Sequence, residues 1–206
     1  MDVESAPLAH LFASRITMGV SAVFLTGFMG SGKSSVGREL ASRLHWDFVD
    51  LDARIEMRER KNIAEIFSGH GEPGFRIAET AALLELTQSL ERDSVVALGG
   101  GAFVQDKNRE LVQPWPSVFL EATVDELWRR SSDDDEIRPL RKDREQFARL
   151  YAERLPFYRQ ATLCLETSGK KPLAICLEIE AALQLGKTKT GSMLDSSRSS
   201  EKGGSR

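Results

Sequence analysis

Short apolar runs alternate with amphipathic stretches along most of this chain. Val20 to Thr26 (VSAVFLT) is a run with β-branched members that stops at Gly27, the pattern of a strand buried on both faces. Lys33 to Leu44 then places Val36, Leu40 and Leu44 at helical spacing. Phe48 to Leu51 reads as a second strand, and Asp52 to Arg60 opens another helix. Asn62 with Glu65 three residues on, ahead of Ile63, Ile66 and Phe67, has the form of an N-cap and its capping box. Ile77 to Leu90 predicts a helix with Ala81 and Leu84 on one face. Val95 to Leu98, Val118 to Leu120 and Thr162 to Glu166 are further strands, and Pro172 to Leu185 is a final helix. Strands alternating with helices predict an α/β fold, a parallel sheet sandwiched by helices.

The same pattern bounds the domain. A single folded body spans 20–186, preceded by an extension (1–19) and followed by a tail (187–206) of Ser, Gly and charged residues with little to bury. Within the body, 131–144 (SSDDDEIRPLRKDR) breaks the periodicity with charge and Pro139, and is read as a surface lid. Charge adds an exclusion: 28 Lys and Arg against 31 Asp and Glu leave a net charge of −3, so no electrostatic pull toward nucleic acid or an anionic membrane is expected. No run of 18 apolar residues occurs, and the first residues lack the basic start and apolar stretch of a secretory signal. Cys164 and Cys176 form neither a metal knuckle nor a disulfide framework, so a reducing cytoplasm is the expected location.

Chemistry enters with Gly27-Phe28-Met29-Gly30-Ser31-Gly32-Lys33-Ser34, a G-x-x-x-x-G-K-S loop between a predicted strand and a predicted helix. Glycines let the backbone curl so that N–H groups face a phosphate, the helix N-terminus adds its positive end, and lysine supplies a full charge. Ser34 is placed to hold Mg²⁺. The loop means nucleotide binding and leaves GTPase, ATPase motor and small-molecule kinase open. A short body and an arginine-bearing lid favour a small kinase, which must exclude water from the transfer.

Asp50 and Asp52 flank Leu51 at the carboxyl end of the second predicted strand, where a period of two turns both carboxylates to one side. In open parallel sheets ligands bind at that end. One carboxylate can order a metal's water shell and the other can take the acceptor's hydroxyl proton; a solvated or helix-capping pair is the alternative. Gly99, Gly100 and Gly101 follow another buried strand and permit close backbone approach to a ligand, or form a simple loop. Arg76 could pair with Glu79 on its own helix, Arg154 with Glu153, and Phe67 and Phe75 could be core.

Together these pieces resemble the shikimate kinase family. The matching stretches are GFMGSGKSS, the Asp-Leu-Asp at 50–52, Asn62 to Phe67, the run from Glu72 to Glu79 with its Phe-Arg-x-x-Glu, the three glycines, Arg138-Pro139-Leu140 and Arg154-Leu155-Pro156-Phe157-Tyr158. The resemblance implies a P-loop kinase core with a substrate-binding insert near 52–90 and a lid, phosphorylating shikimate with ATP and Mg²⁺ on the route to chorismate and aromatic amino acids, as a monomer. It implies that Gly30, Ser31, Gly32, Lys33, Ser34 and Ser35 hold the ATP phosphates, that Ser34 ligates Mg²⁺ and that Asp50 contributes through water. It places Asp52 on the shikimate hydroxyls, as orienter or base for the one phosphorylated. Arg76 and Arg154 would grip the carboxylate, with the backbone of 99–101 alongside and Phe67 and Phe75 as walls. Arg138 would close on the transferring phosphoryl group, and Arg130 and Pro172 would sandwich adenine. Three departures stand out: arginine at position 60, near where the family usually has glycine, Arg141 where a leucine commonly follows Arg-Pro-Leu, and Pro73-Gly74 ahead of Phe75 in what reads as a loop. A kinase for another hydroxylated acid such as gluconate, or a silent nucleotide-binding relative, are the competing readings.

Overall fold

The computed structural model describes residues 21–132 and 143–186. The expected extension (1–19), the tail (187–206) and most of the lid, Arg138 included, lie outside the described residues. Five strands, β1 (Ala22–Thr26), β2 (Asp47–Asp50), β3 (Ser94–Ala97), β4 (Ser117–Glu121) and β5 (Leu163–Glu166), form one parallel sheet in the order β2-β3-β1-β4-β5. The helices are α1 (Lys33–Leu44), α2 (Leu51–Glu59), α3 (Ile63–Ser89), α4 (Asp106–Val112), α5 (Val124–Ser132), α6 (Arg144–Tyr158) and α7 (Pro172–Leu183), with a 3₁₀ turn at Ala102–Val104.

Strand period decides the layers. β1 is buried throughout; Val23 and Leu25 pack with Val36, Leu40, Ile175 and Ile179 of α1 and α7, whereas Phe24 joins Leu51, Ile55, Leu83 and Tyr158 on the opposite face. Both faces of the sheet are therefore covered, as the continuous apolar runs require. The register Leu25↔Ala97 and Asp50↔Ala97 brings the carboxyl ends of β1, β2 and β3 level. Because β1 sits in the middle and β3 and β4 flank it, the loops after β1, β2 and β3 open onto one crevice, the place where such sheets bind ligands.

Three local features extend or correct the sequence reading. Helix α3 starts at Ile63 under the capping box expected at Asn62 and runs on through the stretch read as a separate helix from Ile77: Glu65 N–H donates to Asn62 Oδ1 and Asn62 N–H to Glu65 Oε2, both at 2.8 Å. It breaks at Gly71 (φ 64°, ψ −176°) and restarts, so Pro73 and Gly74 belong to the first turn of the second half and not to a loop. Proline is tolerated there because a first-turn N–H has no helical partner to lose. Second, Asp52 is already helical: Asp50 ends β2 and caps α2, accepting from Asp52 N–H at 3.1 Å, so the period of two does not carry through to Asp52. Third, Arg60 makes the turn after α2 in the left-handed region (φ 55°), a conformation that suits glycine.

Candidate active site

Helix α1 begins where the phosphate loop ends, and the loop's shape follows from its glycines. Gly30 (φ 77°) and Gly32 (φ 86°) take left-handed conformations. A Cβ on Gly30 would in addition meet Leu127 O at 2.5 Å, so the loop also packs closely against α5. Gly32 is the N-cap of α1, the first turn carries no acidic residue, and Val36 N–H is the first to return to Gly32 O, at 2.9 Å. The preceding N–H groups, those of Lys33, Ser34 and Ser35, thus have no intrahelical acceptor and present the helix's positive end to the loop. Lys33 Nζ lies over this curl, donating to the carbonyls of Gly27 and Phe28 at 3.0 Å each and to Ser31 Oγ at 3.4 Å.

Beside it, Ser34 Oγ donates to Asp50 Oδ2 at 2.9 Å. A hydroxyl and a carboxylate at the lip of a phosphate loop are hard oxygen donors of the kind Mg²⁺ takes alongside nucleotide phosphates and water. Among the described residues no group of three or more His, Cys, Asp or Glu could cage a metal by itself, so this donor pair fits an ion shared with a nucleotide.

The glycine loop after β3 gathers the other predicted residues. An imagined Cβ on Gly99 would stand 2.6 Å from Asp52 Oδ1 and 2.9 Å from Glu79 Oε1, which brings the two carboxylates to one spot. On Gly101 it would lie 2.4 Å from both Arg76 Nη1 and Nη2, so the guanidinium rests directly over that residue and only glycine leaves the space. Arg154, buried on α6, donates from Nη1 to Gly100 O at 3.2 Å and sits 5.7 Å from the Phe28 ring centroid. Tyr158 Oη donates to the same Gly100 carbonyl, and its ring stacks on Phe119.

Arg76 is held from two sides. Nη1 donates to Glu79 Oε2 at 2.9 Å, and Nε and Nη2 donate to Glu72 Oε1 at 3.3 and 2.9 Å. That uses three of five N–H donors and leaves one on each terminal nitrogen at the end that overlies Gly101. Glu79 is fully buried, so the pair is not the exposed i,i+3 contact the sequence allowed for. Burial pushes the Glu79 carboxyl above its ordinary value against the pull of Arg76, and Asp52 pushes in the same direction. Burial also works against the Arg76 charge, but Glu79 and Glu72 outweigh it and its pKa is raised. Tyr158, buried, is pushed up to about 12 and stays a neutral donor.

The structure thus assembles Asp52, Arg76, Gly99, Gly100, Gly101 and Arg154 in one place and the loop residues with Asp50 in another, across a single crevice. Arg154 engages Gly100 rather than Glu153. Phe75 is buried and stacks on half-buried Phe67 at 4.6 Å between centroids, so both belong to the packing under the site. Arg130 donates to Glu126, which also accepts from Gly169 N–H at 3.3 Å, while Pro172 opens α7. Sequence reasoning raised Glu79 only as an exposed partner of Arg76 and gave no role to Glu72 or Tyr158; spacing of four residues before Arg76 is the signal that could have raised Glu72. A shallow cavity of about 460 Å³ along the outer edge of β2, near Phe48, Arg54 and Met57, shares only Asp50 with these residues.

Comparison with known proteins identifies the family. A shikimate kinase from Geobacter metallireducens is 45% identical over 166 residues, covering 79% of this chain and 91% of its own. A shikimate kinase from Halorhodospira halophila is 42% identical over 169 residues, covering 80% and 94%. The solved structure of a shikimate kinase from Acinetobacter baumannii in complex with shikimate superposes with a TM-score of 0.75 at 35% identity, covering 85% of this chain and 99% of that one. With a shikimate kinase family model matching residues 29–184, the chain belongs to the shikimate kinase family.

Proposed function

We propose that this chain transfers the γ-phosphoryl group of ATP to a ring hydroxyl of shikimate, yielding shikimate 3-phosphate and ADP. The observation that carries the reading is the convergence of two guanidinium groups and a carboxylate on the 99–101 loop, across the crevice from a phosphate loop with its lysine. A hydroxylated carboxylic acid is what such a set recognises: arginines for its carboxylate, an aspartate for its hydroxyls.

Phosphoryl transfer needs positioning and charge compensation more than covalent chemistry. Lys33 and the first amides of α1 hold the phosphates. Arg76 uses the N–H donors left on its terminal nitrogens, and Arg154 approaches from α6, so that the acid's carboxylate is fixed between them. Asp52 accepts a hydrogen bond from the hydroxyl that attacks and takes its proton. Mg²⁺, held by Ser34 with Asp50 through water, would neutralise phosphate charge when bound. Arg138 from the lid completes the charge compensation in this reading, and Arg130 with Pro172 encloses the adenine. Among the described residues no helix is long and apolar enough to cross a membrane. In this reading the enzyme works in the cytoplasm as a monomer.

The test is ADP release with ATP and Mg²⁺ in the presence of shikimate, gluconate or AMP. Shikimate-dependent turnover supports the reading. Gluconate-dependent turnover, or nucleotide binding without turnover of any acceptor, overturns it.

A further inference from the structure

The Arg76 clamp extends one residue beyond the motif that signals it. Glu79 Oε2 receives a second hydrogen bond, from Gln105 Nε2 at 2.8 Å, while Glu79 Oε1 is buried without a hydrogen-bond partner and faces Gly99. We propose that Gln105 is a positioning residue for the acceptor site: it anchors the Glu79 carboxylate that in turn aims Arg76. The inference rests on the reading of Arg76 as a carboxylate-binding group.

Gln105 is delivered by a rigid turn. Its own N–H bonds to Ala102 O, and its carbonyl accepts from Asn108 and Arg109 N–H at 3.1 Å each. Arg109 Nη1 ties the carbonyls of Phe103 and Val104 at 2.8 and 2.7 Å, and Asn108 Nδ2 ties Ala102 O at 3.0 Å. The segment from Gly99 to Gln105 therefore meets Glu79 at both ends, through close contact at Gly99 and a hydrogen bond at Gln105. It joins the glycine loop to α3 as one unit.

The chemistry explains why an amide suits this place. A desolvated carboxylate beside Asp52 needs donors to stay ionised, and Arg76 alone supplies one. A glutamine adds a donor without adding charge, so it leaves the positive charge of Arg76 available to an incoming carboxylate. With no donor at 105, Glu79 is held on one side only and can rotate about its last torsion, taking the Arg76 guanidinium with it.

The test measures shikimate and ATP kinetics for Q105L, which keeps the approximate volume without the donor, and for Q105E. A hydrogen bond to a charged group of this kind corresponds to a rise on the order of tenfold in KM for shikimate in Q105L, with KM for ATP unchanged. In Q105E the new carboxylate can bond Glu79 only when one of the two is protonated. Shikimate affinity should then fall as pH rises and recover in acid, with Arg76, Asp52 and Arg154 facing Glu79 and Arg109 and Asp106 facing position 105 as the neighbouring charges. If Q105L fails to fold, Q105N, with the amide one methylene too short to reach, takes its place. Equal losses for both substrates, or a shikimate KM that does not move, overturn the role of Gln105. An unmodified enzyme that turns over no shikimate would instead defeat the functional reading on which it rests.

Discussion

Replacing Gly101 with alanine perturbs one thing, the seat of the Arg76 guanidinium. Gly101 has φ −114° and ψ −9°, which alanine adopts without strain, so the backbone has no reason to move. The added methyl carbon would lie 2.4 Å from Nη1 and Nη2 and 2.6 Å from Cζ. Comfortable contact is about 3.5 Å, so the guanidinium must retreat by roughly 1 Å. Its hydrogen bonds to Glu79 and Glu72, at 2.9 Å each, cannot both follow. The end of a long side chain yields easily, and stability should fall by less than about 1 kcal/mol. Function should suffer far more, since a misplacement of this size costs on the order of 10²-fold in a positioned reaction. The assay is ADP release as a function of shikimate at saturating ATP, with thermal unfolding on the same sample. The expected result is a kcat/KM for shikimate lower by about two orders of magnitude, with KM for ATP unchanged. A shikimate kcat/KM within about threefold of the parent would show that Arg76 does not act from the position seen here.

Other expectations follow from individual contacts. Asp52→Asn should leave ATP binding intact and nearly abolish transfer, read by nucleotide titration beside turnover; loss of ATP binding would argue against its role on the acceptor. Burial raises the Glu79 carboxyl above its ordinary value of 4.5, so the folded state binds more protons than the unfolded one above that pH. Stability contributed by neutral Glu79 is present below 4.5 and declines as pH rises through the raised value. Glu79→Gln should flatten that decline in urea midpoints taken across pH, and parallel curves for parent and variant would contradict it. Arg60→Gly should raise stability by up to about 1 kcal/mol in chemical denaturation, because exposed Arg60 occupies the left-handed region at a cost glycine does not bear.

Much of the architecture was legible because it is local. VSAVFLT, the spacing of Val36, Leu40 and Leu44, and the Asn62–Glu65 capping box each carry their own period or hydrogen-bond partner within a few residues, and each forms the element expected. The phosphate loop is legible for the same reason, since glycines, lysine and helix start are contiguous. The errors arose where a local rule met a competing one. The period of two at Asp50 and Asp52 gave way to a helix that starts at Leu51, and Pro73 reads as a loop former until Gly71 breaks the helix ahead of it and turns proline into a first-turn residue.

The acceptor side is different in kind. From the sequence alone, residue types and short spacings were enough to determine the layered sheet and the nucleotide loop, and the resemblance to the shikimate kinase family supplied the list of arginines and aspartates suited to a hydroxylated acid. Only the tertiary structure decided that Arg76 lies over Gly101 between two glutamates, that Asp52 and Glu79 share the Gly99 face, and that Arg154 and Tyr158 meet at one carbonyl. Those contacts join α2, α3, α6 and the loop after β3, positions up to 58 residues apart in the chain. Their geometry depends on how strands and helices pack, and burial, which sets the state of Glu79, exists only once they have packed.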